Sequence, residues 1–156
     1  FGTLVLTAKH HDGLCLWPTA TTRHSVAASP WRGGNGDVVA EAAQACAEAG
    51  IRFGLYCSPW DRNAPEYGTG RAYDDLLIAQ LTEVLTGYGE LAQVWFDGAV
   101  GQSERGRQRY DWERIFGTVR EHQPDAVIFS DAGPDVRSPL LVAGMAWYGL
   151  RDRLGF

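Results

Sequence analysis

Four short apolar runs rich in β-forming residues alternate with three segments of helical period, and no other feature of this chain constrains its fold as tightly. The runs are 3–7, 52–57, 91–96 and 126–129. Val38, Val39, Ala42, Ala43, Cys46 and Ala47 fall on one helical face, with Asp37 at its N-terminal end and Gly50 as a C-terminal stop. Tyr73, Leu76, Leu77, Gln80, Leu81, Val84, Leu85 and Tyr88 repeat that spacing up to Gly89. Trp112, Ile115, Phe116 and Val119 form a third stripe, with Pro124 just beyond it. Strands alternating with helices predict a parallel sheet with helices packed outside it. Both a doubly wound sheet and part of a (β/α)8 barrel fit the spacing. No G-x-G-x-x-G or G-x-x-x-x-G-K-[ST] follows the first run, so nothing in the motifs supports a nucleotide-binding fold.

The barrel is favoured by where the polar residues stand. The first run leads into His10, His11 and Asp12, and the second into Tyr56, Ser58 and Trp60. The third ends with Trp95 and Asp97, the fourth with Ser130 and Asp131. Barrel enzymes build their sites from the C-terminal ends of several strands. The expected class is therefore α/β: a partial (β/α)8 TIM-like barrel of about four to five parallel strands with outer helices. A complete barrel takes about 250 residues, and this chain has 156.

Asp97 is the sharpest candidate. Strand alternation places Trp95 and Asp97 on one face and Val94 and Phe96 on the other. A carboxylate projecting into a barrel mouth beside an indole costs several kcal/mol unless paired or hydrogen-bonded, so a use or a partner is expected. The plainer reading is an aspartate that caps the following loop at Gly98. Adjacent residues of an extended chain point to opposite sides, which argues against one metal ion held by both His10 and His11. Hydrogen bonding to a polyhydroxylated ligand, with Asp12 helping to orient a histidine, suits them better. Trp112 lies on a helical stripe and reads as core. Trp17, Trp31 and Trp60 lie in loops beyond strand ends, where each ring must cover the barrel mouth or a sugar face. His24, in a loop, and His122, near a helix end, receive no role.

Composition narrows the partners. The formal net charge is −5 and the 14 basic residues are scattered, which leaves no basic stripe for a nucleic acid. Three cysteines without C-x-x-C spacing give neither a disulfide framework nor a zinc knuckle. No apolar run reaches membrane-spanning length, so no membrane partner is expected. The chain opens at Phe1 and runs almost at once into a strand, which reads as a piece of something longer.

"LTAKHHDGLCLWPT", "SPWRGGNGDVV", "FGLYCSPWDRN", "VWFDGA", "YDWERIF" and "AVIFSDAGPDVR" together resemble the catalytic barrel of the family 29 α-L-fucosidases. The resemblance covers residues 1–137 in the family's order and leaves 138–156 as a divergent tail. It implies a retaining exo-glycosidase that acts on a fucosylated oligosaccharide or glycoprotein glycan, with no metal and no organic cofactor. It implies Asp97 as the nucleophile, His10 and His11 as hydrogen-bonding partners of the fucose hydroxyls, and Trp17, Tyr56 and Trp95 as pocket walls, with Trp60 beside them. It favours a secreted or periplasmic location, as for most family members.

Retention needs a second carboxyl group about 5–5.5 Å from the first. In this family branch a glutamate follows shortly after "GPD-x-R", whereas "SPLLVAGMAWYGLRDRLGF" contains none. The expectation is a truncated copy lacking the acid/base. Alternatives are a barrel glycosidase for another sugar, a non-catalytic or carbohydrate-binding remnant, and, last, a metal hydrolase built on His10, His11 and Asp12. Too few strands to close a barrel leave open edges, so self-association is expected.

Overall fold

The computed structural model describes residues 2–130 and 132; the expectations placed on Asp131 and on the tail at 138–156 lie outside the described residues. The elements are β1 (Thr3–Lys9), α1 (Val38–Glu48), β2 (Arg52–Cys57), α2 (Arg71–Gly87), β3 (Gln93–Phe96), β4 (Gln102–Ser103), β5 (Gly106–Arg107), α3 (Trp112–His122) and β6 (Val127–Ser130). Strands β1, β2, β3 and β6 form one parallel sheet in that order, as the alternation predicts. The hairpin β4–β5 was not expected. Its two-residue strands are too short to show a period, and it is closed by the Ser103 hydroxyl donating to the Gly106 carbonyl at 2.8 Å.

The helices begin where capping chemistry places them. Asp37 accepts from the Ala40 amide at 2.8 Å and Asp111 from the Arg114 amide at 3.2 Å. Each carboxylate satisfies an amide that the first helical turn leaves free. The apolar stripes then pack on the sheet: Leu55, Val94, Phe96 and Ile128 meet Val39, Leu77, Leu81, Ile115 and Val119 in one buried core. Burying a side chain of this size contributes about 1.5–3 kcal/mol, so these stripes carry most of the fold's stability.

Register divides the sheet into two faces. Thr7 pairs with Tyr56, Tyr56 with Trp95, and Trp95 with Phe129, so the three aromatic rings line up across neighbouring strands on the face away from that core. Tyr56 and Trp95 lie 4.7 Å apart by ring centroid, and Trp95 and Phe129 5.8 Å apart. The β1–β2 register slips between Thr7 and Lys9, where three residues of β1 oppose two of β2. This irregularity places Lys9 opposite Cys57 instead of on the aromatic face. Its ammonium there donates to Asp61 Oδ2 at 3.2 Å and to Gln80 Oε1, on α2, at 2.8 Å. All three side chains are buried. Because Oε1 takes the lysine, the Gln80 Nε2 group is left without a partner among the described residues.

Candidate functional site

A cluster of titratable and aromatic groups forms where β1, β2 and β3 end. Asp97 follows β3 on the same face as Trp95, while Val94 and Phe96 are buried against the helices. Its carboxylate serves two purposes. Oδ1 accepts the Ala99 amide at 3.1 Å, which is the loop cap considered from the sequence. Oδ2 turns to the cluster, accepting the Tyr56 hydroxyl at 2.8 Å and standing 3.5 Å from His11 Nε2. The Asp97 side chain is 23% exposed, so a ligand can reach it.

The structure corrects the expectation that the two histidines splay apart. β1 ends at Lys9, and a turn through Asp12 and Gly13 brings the rings of His10 and His11 within 4.1 Å. Asp12 does not orient a histidine: its Oδ1 accepts the Leu14 amide at 3.1 Å and holds the turn. Gly13 has φ +78°, and a Cβ there would meet the Asp61 carboxylate at 2.2 Å, so this turn requires glycine. His10 is exposed and lies 5.8 Å from the Tyr56 ring. His11 Nδ1 is 2.7 Å from the Ser58 hydroxyl, and its ring lies 4.8 Å from Trp60.

Burial lowers the His11 pKa below the ordinary histidine value; the Asp97 carboxylate opposes this, and His10 and Arg62 reinforce it. The imidazole is therefore neutral at pH 7. Burial, with the Asp97 charge, pushes the Tyr56 hydroxyl well above its ordinary value, so it stays protonated and donates.

Trp17 is not brought to this cluster. Its ring is 2% exposed within the core, and its indole N–H donates to Glu83 Oε2, on α2, at 2.7 Å. The loop position was legible in the sequence, but the carboxylate that draws the indole to the helical side lies 66 residues away. Trp31 is exposed and covers Gly36 and the Arg32 side chain rather than the cluster. Trp112 packs on Phe96 and Phe116, as its helical stripe predicts. Phe129 was not singled out, although alternation from Ile128 would have placed it on the aromatic face.

The loop after Asp97 is held by side chains whose contribution only the tertiary structure shows. Buried Gln108 accepts the Gly68 and Gly70 amides at 3.1 and 3.0 Å and donates to Asp74 Oδ1 at 3.1 Å. The Tyr67 hydroxyl accepts the Gly101 amide at 3.0 Å. A Cβ at Gly101 would meet the Trp60 ring at 2.0 Å, so the loop closes directly on that indole. A cavity of about 570 Å³ beyond it, lined by Trp60, Arg62, Asn63, Tyr67, Gln102 and Arg105, adjoins the cluster at Trp60 and Arg62 and does not reach Asp97. Among the described residues no group of three His, Cys, Asp or Glu side chains stands in a metal-binding arrangement.

The family model described as alpha-L-fucosidase matches residues 3–139. The chain belongs to the alpha-L-fucosidase family. It is 54% identical over 137 residues to alpha-L-fucosidase 1 of Arabidopsis thaliana, covering 88% of this chain and 27% of that protein. The solved structure of SpGH29 superposes with a TM-score of 0.79 at 42% identity, covering 85% of this chain and 31% of that one. The Ruminococcus gnavus GH29 fucosidase E1_10125, solved in complex with fucose, superposes with a TM-score of 0.69 at 34% identity, over 79% of this chain and 28% of that one. The chain thus spans less than a third of each of these relatives. Its sheet and helices are those of the TIM-like catalytic domain of GH29 fucosidases.

Proposed function

We propose that this chain forms the fucose-binding and nucleophilic part of a retaining α-L-fucosidase, acting on terminal α-L-fucose of oligosaccharides or glycoprotein glycans. The observation that carries the reading is the convergence on one oxygen: Asp97 Oδ2 meets the Tyr56 hydroxyl at 2.8 Å and His11 Nε2 at 3.5 Å in an accessible cluster. Family membership and the fucose held by the R. gnavus relative support the choice of sugar.

Asp97 attacks the anomeric carbon as the bond to the glycosidic oxygen breaks, and the electron pair departs with that oxygen. Water then adds to the same carbon and loses its second proton to solvent, which releases fucose and restores the carboxylate. His10 and His11 hydrogen-bond the sugar hydroxyls, while Tyr56, Trp60 and Trp95 wall the pocket. Tyr56 keeps Asp97 oriented by donating to it. The departing oxygen requires a proton from a second carboxyl group. The stretch after Arg137 contains no glutamate, and this chain is read as lacking that acid.

A dinitrophenyl α-L-fucoside tests the nucleophile without the acid, because its phenolate leaves unprotonated. The expected result is a phenolate burst of about one equivalent, absent from Asp97→Ala. No burst from a chain with intact secondary and tertiary circular dichroism would sink the catalytic reading and leave a carbohydrate-binding remnant.

A further inference from the structure

Ser58 lies just past β2 and is fully buried. Its oxygen has three polar groups within 3.1 Å, and the Tyr56 hydroxyl is a further neighbour. The Trp60 amide donates to it at 3.1 Å, the Trp60 carbonyl oxygen is 3.0 Å away, and His11 Nδ1 is 2.7 Å away. A hydroxyl has one proton to give and two directions in which to accept. Since the amide always donates, the Ser58 proton goes to His11 Nδ1, to the Trp60 carbonyl or to the neighbouring Tyr56 oxygen, and only the first of these leaves His11 without a proton on Nδ1.

These arrangements are not equivalent. If the proton goes to His11, Ser58 Oγ and the Trp60 oxygen face each other at 3.0 Å with lone pairs only, inside a buried turn. If it goes to the carbonyl, every contact carries a proton: the amide and the imidazole N–H donate in, and the hydroxyl donates out. We propose that Ser58 is a positioning residue that holds His11 as its Nδ1–H tautomer, leaving Nε2 bare to accept a hydrogen bond from a sugar hydroxyl.

One neighbour of the ring weighs the other way. Nε2 lies 3.5 Å from Asp97 Oδ2, longer than an ordinary hydrogen bond. A bare Nε2 there faces a carboxylate oxygen with no proton between them, a contact that opposes this tautomer. It is longer than the 3.0 Å clash that the other tautomer creates inside the buried turn. The charged and titratable groups facing His11 are His10, Asp12, Arg62 and Asp97, and burial keeps the ring neutral among them. A neutral ring with Nδ1–H therefore presents an acceptor next to the nucleophile, and a neighbouring ligand hydroxyl satisfies it. The tautomer rests on Ser58 alone; only the identity of the hydroxyl donor rests on the fucosidase reading.

Long-range proton–nitrogen NMR of the labelled chain at about pH 8, where an ordinary histidine is neutral, reads the tautomer without ligand. The expected His11 pattern, assigned by its loss in His11→Gln, is a pyrrole-type Nδ1 and a pyridine-type Nε2. The reverse pattern in the wild-type chain overturns the proposal, whether or not any variant folds. Ser58→Thr is expected to keep the wild-type pattern and Ser58→Ala to move it towards Nε2–H; an unchanged pattern in folded Ser58→Ala removes Ser58 from the role. L-Fucose is expected to bind about tenfold more weakly to Ser58→Ala, and equal affinity overturns the acceptor role of Nε2. Absence of L-fucose binding by a wild-type chain that shows the expected tautomer defeats the fucosidase reading and leaves the Ser58 assignment standing.

Discussion

The Tyr56 hydroxyl illustrates how one hydrogen bond links a strand to the proposed chemistry. Its donation to Asp97 Oδ2 at 2.8 Å is a bond to an ionisable oxygen, of a kind that contributes about 1.5–3 kcal/mol. Tyr56→Phe is therefore expected to slow phenolate release from the activated fucoside by about 10- to 100-fold in single-turnover measurements. A rate within a factor of two would show that the contact is structural only. His11 supplies a prediction with a sign. Its folded pKa lies below the unfolded value of about 6.5, so between those two values the unfolded chain binds more protons than the folded one. Stability conferred by neutral His11 is present above about pH 6.5 and is lost as pH falls to the folded value. Urea midpoints measured across that window should fall less steeply with acid in His11→Gln than in the wild-type chain.

At the scale of elements, the register slip at the end of β1 sets the geometry of the whole cluster. It carries Lys9 to Asp61 and Gln80, and the same short segment leads directly into His10 and His11. Lys9→Met leaves Asp61 without its cation in a buried place, at a cost of about 3–5 kcal/mol. Equilibrium urea unfolding measures this, and a loss below about 1 kcal/mol, as for a surface pair, would contradict the assigned burial. Gln108 plays the corresponding part for the loop after Asp97. Gln108→Ala removes its bonds to Gly68, Gly70 and Asp74, so amide exchange within 98–108 should accelerate while β2 and α2 remain protected. Uniform acceleration would show that the loop and the core unfold as one unit.

Over the whole molecule, the sheet's outer strands decide behaviour in solution. The outer edges of β1 and β6 have no strand partner among the described residues, and Leu4 and Val127 on those strands are exposed. Unpaired parallel edges with apolar side chains favour pairing with another chain. Concentration-dependent association in sedimentation velocity is therefore expected. A monodisperse monomer with a single cooperative unfolding transition would overturn that expectation. No described helix is long and apolar enough to cross a membrane.

The sequence by itself determined the order of strands and helices, the parallel sheet and the family. Those properties rest on local periodicity, on capping residues such as Asp37 and on contiguous motifs, all readable within a short window. It also determined that Asp97 shares a face with Trp95, because a strand alternates with a fixed period. Tertiary structure decided what depends on partners distant in the chain. Glu83 draws Trp17 into the core, Asp61 and Gln80 enclose Lys9, and Gln108 ties the loop after β3 to the start of α2. It also decided that His10 and His11 lie side by side, because β1 stops at Lys9 and a turn replaces the extended chain on which opposite directions would depend. A side chain's environment is set by whichever group the folded chain delivers to it, and no local pattern encodes that delivery.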